Sequence, residues 1–177
     1  MFSGKSEELI RRAVRVQIAR RPVQVFKPAL DDRYAEEEVV SHSKLRVDAI
    51  PVEDSAALLA AVEDDTQVVG VDEAQFFDDG LVEVVESLAD SGRQVIIAGL
   101  DLDYLGRPFE PVPTLVGRAE YVTKALAVCV RCGEPANFTQ RTIATDDLVV
   151  LGATDSYEAR CRRCWNPEEP EQPDLGL

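Results

Sequence analysis

Val68-Val69-Gly70-Val71 is an almost unbroken apolar run that ends in two adjacent carboxylates, Asp72 and Glu73. A strand without a polar face has to be covered on both sides, which points to a parallel sheet packed between helices. Val95-Ile96-Ile97-Ala98 is a second run of this kind. Val23-Gln24-Val25-Phe26 reads as a shorter strand closed by Lys27-Pro28, and the chain near Asp48–Val52 reads as extended. Between these lie helical signals. Leu9, Ile10, Ala13, Val14, Val16, Ile18 and Ala19 recur at amphipathic spacing over Gly4–Arg20, and Pro22 ends the pattern. Asp54 is placed to cap a helix across Ser55–Val62, and another runs from Asp79 through Ala89 with Gly92 as its stop. Strands alternating with helices predict an α/β fold around a parallel sheet.

The pattern changes past Arg107. Pro108, Pro111 and Pro113 predict a loop, and a strand-like Tyr121–Val128 leads to the first cysteine pair. The only four cysteines form two pairs, Cys129-x-x-Cys132 and Cys161-x-x-Cys164. Paired knuckles of this spacing supply four thiolates, enough to close a tetrahedral Zn²⁺ shell, so the expected metal is structural. Gly133 suits the tight turn of such a knuckle, and Trp165 is expected to pack over it. The alternative for these residues is reduced, unligated cysteine or a redox pair. The predicted organisation is a main domain over 1–118, a zinc-binding subdomain over 119–166, and an acidic, disordered tail over 167–177.

Charge narrows the function classes. Residues 1–30 hold seven Lys or Arg against two Glu, a net of +5, which leaves −19 for the rest of a chain of net charge −14. An acidic body repels nucleic-acid phosphates, so no nucleic-acid partner is expected. Arg11, Arg12, Arg15, Arg20 and Arg21 read as a solvated helix face. No apolar run approaches the roughly 20 residues of a membrane span, and there is no secretory signal pattern, so a cytoplasmic protein without a membrane partner is expected. His42, the only histidine, stands in a Ser-His-Ser loop and is given no role.

Two motifs carry chemistry. Ser3-Gly4-Lys5-Ser6 fills the end of the phosphate-loop pattern G-x-x-x-x-G-K-[ST]. There, backbone N–H groups cradle phosphates, the Lys neutralises their charge, and the hydroxyl binds Mg²⁺. Asp72, at the carboxyl end of its strand, is placed to hold Mg²⁺ directly or through water. Glu73 beside it is placed to take a proton from an attacking hydroxyl. A strand followed by an acidic helix cap would give the same local pattern.

Met1-Phe2-Ser3-Gly4-Lys5-Ser6-Glu7-Glu8-Leu9, Val25-Phe26-Lys27-Pro28, Asp32-Arg33-Tyr34, Asp72-Glu73-Ala74-Gln75-Phe76-Phe77, Ala98-Gly99-Leu100-Asp101 and the two cysteine pairs occur in this order. Together they resemble the zinc-containing type II thymidine kinase family from Met1 to Cys164. The resemblance implies a P-loop α/β domain, a zinc domain, and a lasso that closes over thymidine. It also implies ATP with Mg²⁺ as donor, a homotetramer, and feedback inhibition by thymidine triphosphate. By position, Ser3, Gly4, Lys5, Ser6, Asp31, Arg33, Asp72 and Gln75 resemble the ATP and Mg²⁺ residues, and Glu73 the general base. Met1, Phe76, Leu100, Tyr104, Phe109, Thr139 and Tyr157 resemble the nucleoside-binding residues. Leu148, Val149, Val150, Leu151 and Gly152 resemble the lasso segment whose backbone reads the base.

Two departures qualify the resemblance. Tyr104-Leu105-Gly106-Arg107-Pro108-Phe109-Glu110 stands where bacterial members usually show F-R-G-x-P-F-G, which leaves the shape of this loop open. The first Gly of the phosphate loop, and the strand feeding it, would precede Met1. The chain as written is therefore expected to fold poorly and to be a very weak kinase. The alternative reading is a truncated, catalytically impaired homologue that binds zinc and nucleotide without turnover.

Overall fold

The computed structural model describes residues 1–29, 38–40, 46–143 and 156–167. They form two compact units: one from Lys5–Asp101 and Glu110–Tyr121, the other from Met1–Gly4, Leu102–Phe109 and the described residues from Val122 onward.

The larger unit is α/β, as the alternating pattern predicts. Its elements in chain order are α1 (Lys5–Ile18), β1 (Val23–Pro28), β2 (Glu38–Val40), β3 (Arg46–Val52), α2 (Ser55–Ala61), β4 (Val68–Val71), a 3₁₀ turn (Ala74–Phe76), α3 (Leu81–Asp90), β5 (Gln94–Ile97) and α4 (Val112–Arg118). The sheet order is β2-β3-β1-β4-β5. Four of the strands are parallel, and β2 runs antiparallel to β3. Every residue of β4 is buried, so its lack of a polar face is explained by cover on both sides.

Alternate residues of the strands face opposite layers. Phe26, Val69 and Val71 share one cluster with Leu58 of α2, Leu81 and Leu88 of α3, and Leu115 of α4. Val25, Ala49 and Ala98 share the other with Leu9, Ile10 and Ala13 of α1. Each large apolar side chain so buried stabilises the fold by about 1.5–3 kcal/mol before ordering entropy is subtracted. α1 comes close to the sheet because Gly70 has no side chain: a Cβ there would lie 3.2 Å from Leu9 Cδ1 and 3.2 Å from Val25 Cγ2. At the head of α2, Asp54 accepts from the Ala57 N–H at 2.7 Å, so the expected cap is present. Asp78 ties the approach to α3 back to this point, accepting from the Ser55 N–H and hydroxyl at 2.8 and 2.7 Å.

The structure corrects the reading around the prolines. α4 occupies part of the stretch expected to be a loop, with Pro111 as its cap and Pro113 in its first turn. Proline is tolerated there because first-turn N–H groups have no partner within the helix. The expected strand Tyr121–Val128 shrinks to two residues, Ala127–Val128, and Tyr121, Val122 and Leu126 are exposed. β1 continues through Lys27 and Pro28, which pair with Pro51 and Val52 rather than closing the strand.

The smaller unit contains β6 (Ala127–Val128), β7 (Pro135–Ala136), β8 (Phe138–Arg141) and β9 (Tyr157–Arg160). β6 pairs with β7 and β8 with β9, both antiparallel. Its buried cluster holds only Ala127, Cys129, Ala136, Ala159 and Cys161, with Cys164 packed against it. Among the described residues no helix is long and apolar enough to cross a membrane.

Gly70→Val would force methyl groups into the contact between α1 and β4. It is expected to lower stability by about 1–3 kcal/mol, seen as a reduced midpoint in denaturant or thermal melts.

Candidate functional site

α1 begins at Lys5 and β4 ends at Val71, so the packing of one on the other brings their ends together. Ser6 Oγ donates to Asp72 Oδ1 at 3.1 Å. Lys5 Nζ lies 2.5 Å from Glu73 Oε1. Just before α1, Gly4 takes a left-handed conformation with φ +79°. Asp72 is buried, and its backbone N–H donates to the Phe26 carbonyl at 2.9 Å, which extends the β1–β4 pairing by one residue.

The chain then turns sharply. Glu73 adopts φ 50° and ψ 43°, a left-handed conformation that costs a non-glycine residue about 1–2 kcal/mol. The bonds around it hold this geometry. Its N–H donates to Asp72 Oδ1 at 3.0 Å, and the following Ala74 N–H donates to the Ala98 carbonyl at 3.0 Å. Gln75, itself buried, donates from Nε2 to Glu73 Oε2 at 2.5 Å and accepts the Leu100 N–H on Oε1 at 2.9 Å. Lys5, Ser6, Asp72, Glu73, Gln75 and Leu100 thus form one bonded cluster. Phe76 follows in the same 3₁₀ turn and is half-buried.

Burial pushes the Asp72 carboxyl above the ordinary carboxylate range, and the Glu73 charge adds to this. The Lys5 ammonium, the Ser6 hydroxyl and the Glu73 N–H pull it partly back. Two carboxylates at the end of a buried strand, with the Ser6 hydroxyl of α1 against one of them, suit a hard dication, which would relieve this electrostatic cost.

In the smaller unit the Met1 amino group donates to Thr139 Oγ1 at 3.2 Å. Tyr104 and Tyr157 are linked by a residue the sequence reading missed. Arg141, buried on β8 opposite Tyr157 on β9, places its guanidinium 3.6 Å from the Tyr104 ring centroid and donates to the Tyr157 hydroxyl at 3.2 Å. The signal was a charged residue in an unrecognised strand, Phe138-Thr139-Gln140-Arg141, whose four positions are all buried. Phe109 is half-buried. Asp31, Arg33, Leu148, Val149, Val150, Leu151 and Gly152, together with His42 and the tail from 168, lie outside the described residues.

The four cysteines converge. Their Sγ atoms all lie within 4.8 Å of one another, with Cys132 and Cys161 3.6 Å apart. A tetrahedral zinc with bonds of about 2.3 Å sets its sulfurs roughly 3.8 Å apart, so the donor set fits. Turns made by Gly133 N–H on the Cys129 carbonyl (2.8 Å) and Cys164 N–H on the Cys161 carbonyl (3.0 Å) shape the two knuckles, and Gly133 has φ +77°. Burial pushes the Cys129 thiol up, but the N–H groups of Cys161, Arg131 and Cys132 outweigh it and bring the thiol down to about 6. Cys164 is pushed up to about 12 by Cys132 and Cys161. So close a group of thiols ionises together only around a cation, and four thiolates leave a tetrahedral ion no open position for chemistry. The Trp165 ring stacks on Phe138 with centroids 4.4 Å apart.

Comparison with known proteins supplies the family. A family profile described as "Thymidine kinase" matches residues 1–165. The thymidine kinase of Rhodothermus sp. (strain ITI 518) is 55% identical over 170 residues, covering 96% of this chain and 79% of that protein. The thymidine kinase of Bdellovibrio bacteriovorus (strain ATCC 15356 / DSM 50701 / NCIMB 9529 / HD100) is 53% identical over 168 residues, covering 95% and 82%.

Two outcomes are expected. Because the folded-state pKa of Asp72 is raised, its contribution to stability is full below the unfolded value and falls as pH rises through the folded one. Asp72→Asn keeps an acceptor for Ser6 and the Glu73 N–H. Without ligands it should melt above the unsubstituted chain near pH 8, with the difference vanishing below about pH 4. Metal analysis should find about one zinc per chain, and Cys161→Ser should lose most of it.

Proposed function

This chain belongs to the thymidine kinase family, and from that membership we propose that it transfers the γ-phosphate of ATP to the 5′-hydroxyl of thymidine with Glu73 as general base. The observation that carries this reading is the bonded cluster of Lys5 and Ser6 with Asp72 and Glu73. Phosphoryl transfer requires little covalent chemistry from a protein; positioning and charge neutralisation supply most of the rate.

Lys5 sits at the head of a 14-residue helix, where N–H groups and the helix dipole also favour phosphate. It is assigned to the β- and γ-phosphates, with Ser3 and Gly4 supplying loop backbone. Ser6 and Asp72 are assigned to Mg²⁺, which, when bound with ATP, neutralises charge developing on the transferred group. Lys5 pairs with Glu73. Phosphates that draw the ammonium away leave Glu73 free to accept the 5′-hydroxyl proton, while Gln75 keeps the carboxylate oriented through its second oxygen. Asp31 and Arg33 are assigned to the triphosphate by family position alone.

The same positional argument assigns nucleoside contacts to Met1, Tyr104, Phe109, Thr139 and Tyr157, to Phe76 and Leu100, and to the backbone of 148–152. The tetramer, feedback inhibition by thymidine triphosphate and a cytoplasmic location are proposed as part of this reading.

Glu73→Gln should reduce kcat by roughly 10²–10⁴-fold and leave the KM for thymidine nearly unchanged, the signature of a lost general base. Steady-state phosphorylation of labelled thymidine measures both. Full activity in this variant removes Glu73 from the role.

A further inference from the structure

Resting on the assignment of Tyr104 to the nucleoside, we propose that Trp165 is a positioning residue that transmits the fixed geometry of the cysteine knuckle to the loop Leu102–Phe109, which carries Tyr104. Trp165 follows Cys164 directly, and its N–H donates to the Cys161 carbonyl at 3.0 Å, so its backbone is part of the second knuckle. Beyond it, Asn166 is tied to β8: its N–H donates to Gln140 Oε1 at 2.8 Å, and its carbonyl accepts from Gln140 Nε2 at 2.7 Å. The indole is therefore anchored on both sides along the chain. Its ring stacks on Phe138 at an interplanar angle of 19°.

From this anchor the indole reaches the loop in two ways. Nε1–H donates to the Tyr104 carbonyl at 3.3 Å. The ring edge lies against the backbone at Gly106, where an added Cβ would be 2.5 Å from Cη2 and 3.0 Å from Cζ2. The loop is itself stiff. Asp103 N–H donates to the Arg107 carbonyl at 2.9 Å, Gly106 N–H to the Asp103 carbonyl at 3.0 Å, and Arg107 N–H to the Asp103 carboxylate at 2.8 Å. A stiff loop held at its tip moves as a body with whatever holds it. Tyr104 is then fixed at both ends, its carbonyl by Trp165 and its ring by the Arg141 guanidinium. A rigid aromatic wall costs less ordering when a base stacks on it, which appears in the affinity for nucleoside rather than for ATP.

The test combines kinetics, metal content and fluorescence on Trp165→Ala, Trp165→Phe and Gly106→Ala. In Trp165→Ala the KM for thymidine should rise about tenfold or more, with the KM for ATP within about twofold and zinc retained. Trp165→Phe keeps an aromatic stack and loses the N–H donor, so its rise should be smaller. Trp165 is the only tryptophan, so its emission reports the contact directly. Emission should move to the red in Gly106→Ala and when zinc is removed with a chelator. An unchanged thymidine KM in Trp165→Ala, an equal rise in both KM values, loss of zinc from that variant, or emission indifferent to both Gly106→Ala and zinc removal overturns the proposal. Failure of the unsubstituted chain to phosphorylate thymidine would instead count against the function proposed above, and the emission shifts would still decide whether Trp165 couples knuckle to loop.

Discussion

The approach of α1 to β4 across Gly70 sets the positions of Lys5 and Ser6 against Asp72 and Glu73. Leu9 rests where a side chain on the strand would otherwise stand, and Leu9 is four residues after Lys5, one helical turn. Gly70 is likewise two residues before Asp72. Packing at one level of the sheet therefore fixes the helix start against the strand end one level above. Lys5 and Ser6 need no further device to reach Glu73 and Asp72; the buried contact between Leu9 and Gly70 determines the register. The stabilising contact and the chemical one are separate in kind and linked by geometry.

The site built on that register is not optimised for stability. Asp72 is buried beside a second carboxylate, and Glu73 holds a left-handed backbone. Both features are unfavourable by themselves, and both persist because neighbours over-determine them. The Phe26, Ala98 and Leu100 backbones each accept or donate one bond at the turn, two of them directly and one through Gln75. The left-handed turn carries Glu73 out of line with the strand, where its two oxygens meet Lys5 and Gln75 rather than the Asp72 carboxylate. Ligands that bring positive charge to Asp72 bind more tightly for relieving its burial, so the cost in the free protein is returned as affinity.

Much of this was legible in the sequence, and most of the unread parts share a cause. The buried strands, α1, the Asp54 cap and the cysteine pairs declare themselves through local signals: apolar runs, 3.6-residue spacing, a capping side chain, paired thiols. The Asp72-Glu73 end is local too, and its partner residues fall at the start of a helix. Apart from α4, what escaped depends on long-range packing. α4 was hidden by Pro111 and Pro113, which read as breakers although a first turn tolerates them. Tyr121–Val128 has strand-like composition but finds a partner only at Ala127–Val128, because β-propensity reports fit to a neighbour rather than a backbone preference. Arg141 was unreadable because its meaning lies in Tyr104, far away in sequence, and in a cross-strand pairing with Tyr157. The bond from Gln75 to the Leu100 N–H is of the same kind.

The smaller unit is held together differently in its described residues. Among the described residues its buried cluster is alanine and cysteine, small side chains that each bury little apolar surface. Its larger aromatic and charged groups are arranged instead as a chain of specific contacts: Arg162 over Phe138, Phe138 on Trp165, Trp165 to Tyr104, and Tyr104 under Arg141, which bonds Tyr157. Contacts of this type are worth about a kilocalorie each and are directional, so they hold geometry better than they hold a fold together. Four thiolates around one zinc would add cohesion, since structural zinc contributes folding free energy outright. A metal held there would fix one end of a series of contacts whose other end is Tyr104, all within the smaller unit. The two apolar clusters of the larger unit contain no cysteine.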